Sequence, residues 1–311
     1  MRLISFNRDG VRAVGVMLDD TAFVDLSKAA PSLPTNLKAI LKMQGGLNRV
    51  RQAIAGRSAD FTLDQVQLDP VIIDPTAIWA LALNYQTHLD ETGLTTSPDY
   101  PHIFLRHAGG QVGSGQPLLC PDPDIARAYD YEGELAVVIG TGGRNIPLDK
   151  AMDHVAGFSI YNEGSVREYQ GHNRQFGLGK NFEQSASFGP WLMTPDEFGD
   201  PNDHTISSHL NGVIRQQESC SGMLFSVEQL IHYISQGYQL RPGDVLATGT
   251  PGALKPKKDD KDAQVDAHFD DGVQYAGRVH MKPGDLCEIE ISGLGVLWNE
   301  VVASSKEYQI F

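Results

Sequence analysis

Beyond residue 75 the chain is a series of short apolar runs bounded by Gly, Pro and Asp. Ala77–Leu83, Leu135–Ile139, Val155–Tyr161, Pro190–Met193, Val245–Thr248 and Leu286–Ile291 are almost continuously apolar. Runs of this length without polar alternation predict strands buried on both faces. Val227–Ser235 changes period, with Leu230, Ile231 and Ile234 on one side, and predicts a helix. Before residue 75 the pattern is finer. Met1–Phe6 and Val11–Leu18 flank Arg8-Asp9-Gly10 as a hairpin would, and Ala22–Leu26 predicts a third strand. Leu37–Leu41 and Leu47–Ile54 predict short helices separated by Gly45-Gly46. The run Leu68–Pro75, with Pro70 and Pro75, reads as a linker. The expected division is therefore a small N-terminal α+β domain, residues 1–72, and a larger domain, residues 73–311.

Two turns repeat a theme, Arg241-Pro242-Gly243-Asp244 and Lys282-Pro283-Gly284-Asp285, each just before a predicted strand. Pro sets φ and Gly admits the left-handed position, so both are expected to be tight turns. Ser292–Trp298 reads as a hairpin, and the charged run Lys255–Asp262 as an exposed loop. The fold class expected is α+β, predominantly β, without βαβ alternation.

Charge narrows the partners. The 311 residues carry 25 Lys+Arg against 39 Asp+Glu, a formal net charge of −14. A negative surface without basic runs argues against nucleic acid as a partner. No apolar stretch approaches the ~18 residues a membrane helix requires. Cys120, Cys220 and Cys287 are odd in number, far apart and without a CxxC, so a reducing, cytoplasmic setting is expected. Several motifs fail. There is no G-x-S-x-G elbow, no H-E-x-x-H, no Lys in phosphate-loop spacing after Gly109–Gly115, and no third glycine in Gly140-Thr141-Gly142-Gly143.

The chemistry concentrates in carboxylates. Glu132 and Glu134 stand two apart at the head of the Leu135–Ile139 run, so their side chains share a strand face. An isolated E-x-E is equally at home on a solvated strand end. Here a second apolar run, Val155–Tyr161, leads into Glu163, and three oxygen ligands from two strands would suit a hard cation such as Mg²⁺. Upstream, His88 and Glu91 at i,i+3 would share a helix face, either as an acid–base pair or as an exposed pair. Downstream, Arg167, Gln170 and Lys180 bring cations and an amide close to the third acid. Arg167 would hold the carboxylates, while Gln170 and Lys180 would meet a substrate carboxylate or a developing enolate.

Together these blocks resemble the fumarylacetoacetate hydrolase family, in its bacterial acylpyruvate-hydrolase-like branch, over roughly residues 75–305. The matching blocks are Asn84-Tyr85…His88…Glu91, Ile103-Phe104-Leu105, Tyr131 to Gly140, Gly179-Lys180-Asn181-Phe182, Asn211-Gly212, Met223 to Ser226, Gly243 to Pro251 and Pro283-Gly284-Asp285. The resemblance implies a mixed β-roll catalytic domain, commonly preceded by a small N-terminal domain and assembled as a homodimer. It implies a Mg²⁺ site, or one for Mn²⁺ or Ca²⁺, at Glu132, Glu134 and Glu163. It further implies a His88–Glu91 dyad on a lid, an active-site Lys180, Gln170 nearby, and Thr250 at the substrate carboxylate. Tyr85 and Arg106 are the remaining substrate-contact candidates. The implied reaction is hydrolysis of the C–C bond of a β-diketo acid such as an acylpyruvate, giving pyruvate and a carboxylic acid. Decarboxylase, hydratase, isomerase or lyase action on a related 2-oxo acid is the alternative, followed by a non-catalytic metal-stabilised binding protein. Three positions depart from the family pattern: Glu163 stands where Asp is usual, Val166-Arg167-Glu168 replaces Ala-Arg-Asp, and Arg106-His107 replaces Lys-Pro.

Overall fold

The computed structural model describes residues 1–94, 96–255 and 278–305. The charged run from residue 256 onward therefore lies outside the described residues. The apolar runs form strands at Ile78–Ala82, Gly133–Ile139, Val155–Asn162, Ala186–Met193 and Val245–Ala247. They are the centre of a 12-stranded sheet, in which Gly133–Ile139 pairs antiparallel with both Val155–Asn162 and Val245–Ala247. Every residue of Gly133–Ile139 and of Ala186–Met193 is buried, which is why their sequence shows no alternation.

Alternate side chains of the central strands feed two cores. Leu135, Val137, Ile139 and Ile160 pack with Leu230, Ile231 and Ile234 of the Val227–Gly237 helix and with Ile206, Ile289 and Leu297. The last three belong to a five-stranded sheet built from Val213–Ser219, Thr205–Leu210, Leu286–Ile291, Gly295–Ala303 and Leu118–Cys120. Ala136, Val138 and Tyr161 face the other way, into a core shared with Leu37, Ile40 and Val50 of the N-terminal helices. The architecture is mixed α+β, mostly β, as expected.

The N-terminal hairpin turns at Asp9 and Gly10, both at positive φ (54° and 82°). Asn36 caps the Leu37–Lys42 helix by accepting from the Ala39 amide. The Arg2–Arg8 strand then extends the large sheet by pairing antiparallel with Ala186–Met193, Arg2 opposite Met193 and Leu3 opposite Leu192. The two repeated turns close alike. Asp244 Oδ2 accepts from Arg241 N and Asp285 Oδ2 from Lys282 N, each at 2.8 Å, with Gly243 and Gly284 at positive φ. Among the described residues no helix is long and apolar enough to cross a membrane.

Candidate metal centre and active site

The site forms where the two central strands end together. Gly133 pairs with Asn162, and the Glu163 amide donates to the Glu132 carbonyl at 2.8 Å, so Glu132 and Glu163 are held side by side. Strand alternation turns Glu132 and Glu134 away from the five-stranded sheet, which packs against the intervening Gly133. A β-carbon on Gly133 would stand 2.4 Å from Ser208 Oγ, and one on Gly164 would stand 1.7 Å from the Ser185 carbonyl oxygen. Glycine at both positions lets the backbone lie close enough to aim the acids inward. One carboxylate oxygen from each of Glu132, Glu134 and Glu163 falls within 4.8 Å of the others, and all three residues are buried.

Cations surround the triad. Lys180 Nζ donates to Glu132 Oε2 at 2.6 Å and to Glu163 Oε2 at 2.8 Å. Arg167 Nη2 lies 2.6 Å from Glu132 Oε1 and 2.5 Å from Asp130 Oδ2, while its Nη1 donates to Gln170 Oε1 at 2.8 Å. Arg106 Nη1 stands 3.7 Å from Glu163 Oε1 and donates to the Gly164 carbonyl at 3.1 Å. Glu134 has a different set of neighbours: its Oε2 accepts from the Gly249 amide at 3.0 Å.

The three acids are consequently unlike in proton affinity. Burial opposes ionisation of Glu132, but Lys180 and Arg167 outweigh it and hold this carboxyl well below the usual range. Burial, with Glu163 and Glu132 alongside, pushes the Glu134 carboxyl well above it. Burial also raises Glu163, to about 7, against the pull of Lys180 and Arg106.

Glu134 Oε1 and Glu163 Oε1 are buried without a hydrogen-bond donor. Oxygen atoms left in that state suit a hard cation, whose ligands are oxygens. The charge balance agrees. Five carboxylates, Glu91, Asp130, Glu132, Glu134 and Glu163, stand with four cations, Arg106, Arg167, Lys180 and Arg278. With all five carboxylates ionised, as a bound divalent ion would require of Glu134 and Glu163, the ion's charge would leave the site net positive and able to attract an anionic substrate.

His88 and Glu91 lie on the Gln86–Thr92 helix, and His88 Nδ1 is 3.0 Å from Glu91 Oε2. Both face inward, since His88 is buried and the Glu91 side chain is 12% exposed. The helix follows Asn84, whose amide donates to Thr248 O at 2.7 Å and to Phe225 O at 3.1 Å. Thr250 is close by in sequence to the Gly249 amide, and its hydroxyl accepts from Gln216 Nε2 at 2.8 Å. Tyr85 is not in this hydrogen-bonded set: its ring is fully buried, with the hydroxyl against the Cys220 thiol. Trp191 belongs to the core, where Nε1 donates to the Leu294 carbonyl at 2.7 Å. A cavity of about 1010 Å³ opens beside Phe104 and Phe176, and Phe104 carries the Lys180 ammonium 5.4 Å from its ring centroid.

Two charged residues central to this network have no role in the sequence reading. Asp130 is wholly buried and takes both Arg167 and Arg278 on Oδ2. Arg278 grips Glu91 with two nitrogens, Nε to Oε1 at 2.6 Å and Nη2 to Oε2 at 2.8 Å. Asp130 directly precedes the Tyr131-to-Gly140 block, but nothing local marks its partners. Arg278 is 187 residues from Glu91 and has no local signal at all.

A sequence profile described as "Fumarylacetoacetate (FAA) hydrolase C-terminal" matches residues 77–302. A mitochondrial oxaloacetate tautomerase of Xenopus laevis is 32% identical over 308 residues, covering 97% of this chain and 90% of its own. The oxaloacetate tautomerase YisK of Bacillus subtilis (strain 168) is 30% identical over 305 residues, 93% of this chain and 95% of that protein. The structure of the fumarylacetoacetate hydrolase EaFAH from psychrophilic Exiguobacterium antarcticum superposes with a TM-score of 0.75 at 29% identity, covering 98% of this chain and 100% of its own.

Proposed function

The chain belongs to the fumarylacetoacetate hydrolase family, and on that premise we propose that it is a metal-dependent tautomerase. Its substrate would be a 2-oxo dicarboxylic acid of the oxaloacetate type, converted between enol and keto forms by proton exchange at C3. This narrows the C–C hydrolysis expected from the sequence to one of the alternatives weighed beside it. The observation that carries the reading is the buried glutamate triad with two undonated oxygens beside Lys180.

Glu132, Glu134 and Glu163 would hold Mg²⁺, or Mn²⁺ or Ca²⁺ in its place, and the ion would supply Lewis acidity to the 2-oxo acid group. Lys180 sets a fixed positive charge where the enol oxygen gains negative charge. Burial opposes protonation of Lys180, yet Glu132 and Glu163 outweigh it and keep the ammonium charged. His88 engages Glu91 through Nδ1, leaving Nε2 to take the C3 proton of the keto form or deliver it to C3 of the enol form, while the balancing proton on the enol oxygen exchanges with water. Arg106 and Arg167 add positive charge suited to a doubly anionic substrate, and Arg167 holds the Gln170 amide in place. Thr250, beside the Gly249 amide that holds Glu134, is assigned to the substrate carboxylate; Tyr85, fully buried, is given no substrate contact.

Two points favour proton exchange over water activation. Relatives at 30–32% identity across most of the chain carry the tautomerase name. In addition, both Glu91 oxygens are engaged by Arg278, so Glu91 orients His88 while sharing its own charge with a guanidinium. Keto–enol exchange requires a proton acceptor, a proton donor and charge stabilisation, and breaks no C–C bond. Hydrolysis requires a strongly polarised base as well.

The test is loss of the enol absorbance of oxaloacetate with purified protein and Mg²⁺ or Mn²⁺, with product analysis alongside. His88→Ala should lower kcat by at least about 100-fold, the lower end of what a positioned acid–base group contributes. Unchanged turnover in that variant would remove His88 from the chemistry. Hydrolysis of an acylpyruvate is the second reading, favoured by the likeness to the solved fumarylacetoacetate hydrolase. Pyruvate release from acylpyruvates without enol conversion would select it, and CO₂ release would select decarboxylation. A homodimer is part of the same proposal, and light scattering of the purified protein decides it.

A further inference from the structure

We infer that Arg278 is a positioning residue that latches the His88 helix to the metal centre. Part of the inference, the effect on turnover, rests on the tautomerase reading; the latch itself does not. The Gln86–Thr92 helix has seven residues, too few to hold its shape without tertiary ties. Its N-terminal end is tied by Asn84, and by Thr87, which accepts from the Gly252 amide at 3.0 Å. Its C-terminal end carries Glu91, whose partners are His88, the Ala253 amide at 3.3 Å and the two nitrogens of Arg278.

The third Arg278 nitrogen, Nη1, donates to Asp130 Oδ2 at 2.8 Å. Asp130 in turn holds Arg167, which holds Glu132. An unbroken file of alternating charges thus runs from the His88 imidazole to the triad, and Arg278 is the link that joins helix to sheet. The arginine is well placed for this role. It is 2% exposed, and three residues on the Met281 amide donates to the Tyr129 carbonyl at 2.7 Å, next to Asp130. A bidentate fork sets both distance and angle, which a lysine ammonium at the same place cannot do.

The experiment pairs hydrogen exchange with kinetics on Arg278→Gln, Arg278→Lys and Glu91→Gln. In Arg278→Gln, amides of residues 86–92 should exchange at least ~10-fold faster while those of Gly133–Ile139 are unchanged. kcat for oxaloacetate should fall at least ~10-fold, since a misplacement of about 1 Å can cost ~100-fold, with KM and Mn²⁺ affinity within about twofold. Arg278→Lys should recover part of kcat, and Glu91→Gln added to Arg278→Gln should cost less than about twofold more. Unchanged exchange in the helix overturns the latch, as does a fall in Mn²⁺ affinity matching the fall in kcat. If Arg278→Gln does not fold, Arg278→Lys carries the test, and unaltered helix exchange and kcat in it overturn the inference. Should the wild-type protein leave oxaloacetate untouched, the tautomerase reading fails, and the exchange data alone still decide the latch.

Discussion

Glu134→Gln is expected to lower turnover by at least ~1000-fold while making the metal-stripped protein more stable. Lewis-acid stabilisation by a bound metal is worth several kcal/mol, and each ~1.4 kcal/mol is a factor of ten in rate. The amide removes one negative ligand of three, so divalent-metal affinity and turnover fall together. The fold gains for the same electrostatic reason. Glu134 is buried beside Glu163 and Glu132, and its carboxyl is held well above the usual range because ionising there is costly. A glutamine carbonyl can still accept from the Gly249 amide, so the backbone contact at 3.0 Å is retained. Turnover assays with Mn²⁺ titration, and thermal melts in EDTA, read the two effects separately. Turnover within tenfold of wild type, or a lower melting temperature in EDTA, would defeat the assignment.

Without metal, stability should fall as pH rises from about 5 to about 7.5, and a divalent ion should reverse that trend. Burial raises Glu163 from an ordinary 4.5 to about 7, and raises Glu134 in the same direction. The folded protein therefore keeps protons that the unfolded chain has released, and folding free energy is lost as pH climbs through this window. For Glu163 alone the loss is on the order of 3 kcal/mol, more than a hundredfold in the folding constant. Glu91, Asp130 and Glu132 act oppositely: burial disfavours their charge, but arginine or lysine partners outweigh it and hold them low. Their contribution is complete above the unfolded value of about 4 and disappears only as pH falls below it. The metal-free optimum should accordingly lie near pH 5. Mg²⁺ or Mn²⁺ competes with protons for the triad, so its stabilising shift should grow between pH 5 and 7.5. Melting curves at both pH values, with EDTA and with each metal, test this. An equal metal-induced shift at the two values would refute it.

The readable parts of the site are those whose chemistry is local. Glu132 and Glu134 stand two apart on one strand face, and His88 and Glu91 stand three apart on one helix face. Both pairs follow from backbone periods of 2 and 3.6 residues. The placing of Glu163 beside them was legible because it ends the next apolar run, and consecutive strands commonly pair. Lys180 was legible from its block, although its two partners, 48 and 17 residues away, were not. Asp130 and Arg278 went unread because a buried ion pair leaves no periodicity in the chain: each residue alone looks like an ordinary surface charge.

By itself, the amino-acid order determined the strands, the short helices, the turns and the set of acids able to hold a cation. Those features depend on apolar spacing, on Pro and Gly backbone limits and on side-chain chemistry, all of which act within a few residues. Only the tertiary structure decided that the N-terminal hairpin extends the large sheet, that Arg278 reaches Glu91, and that Glu134 and Glu163 have high proton affinity while Glu132 has low. Desolvation and charge pairing set those outcomes, and both depend on which distant segments come to lie within a few ångströms of one another.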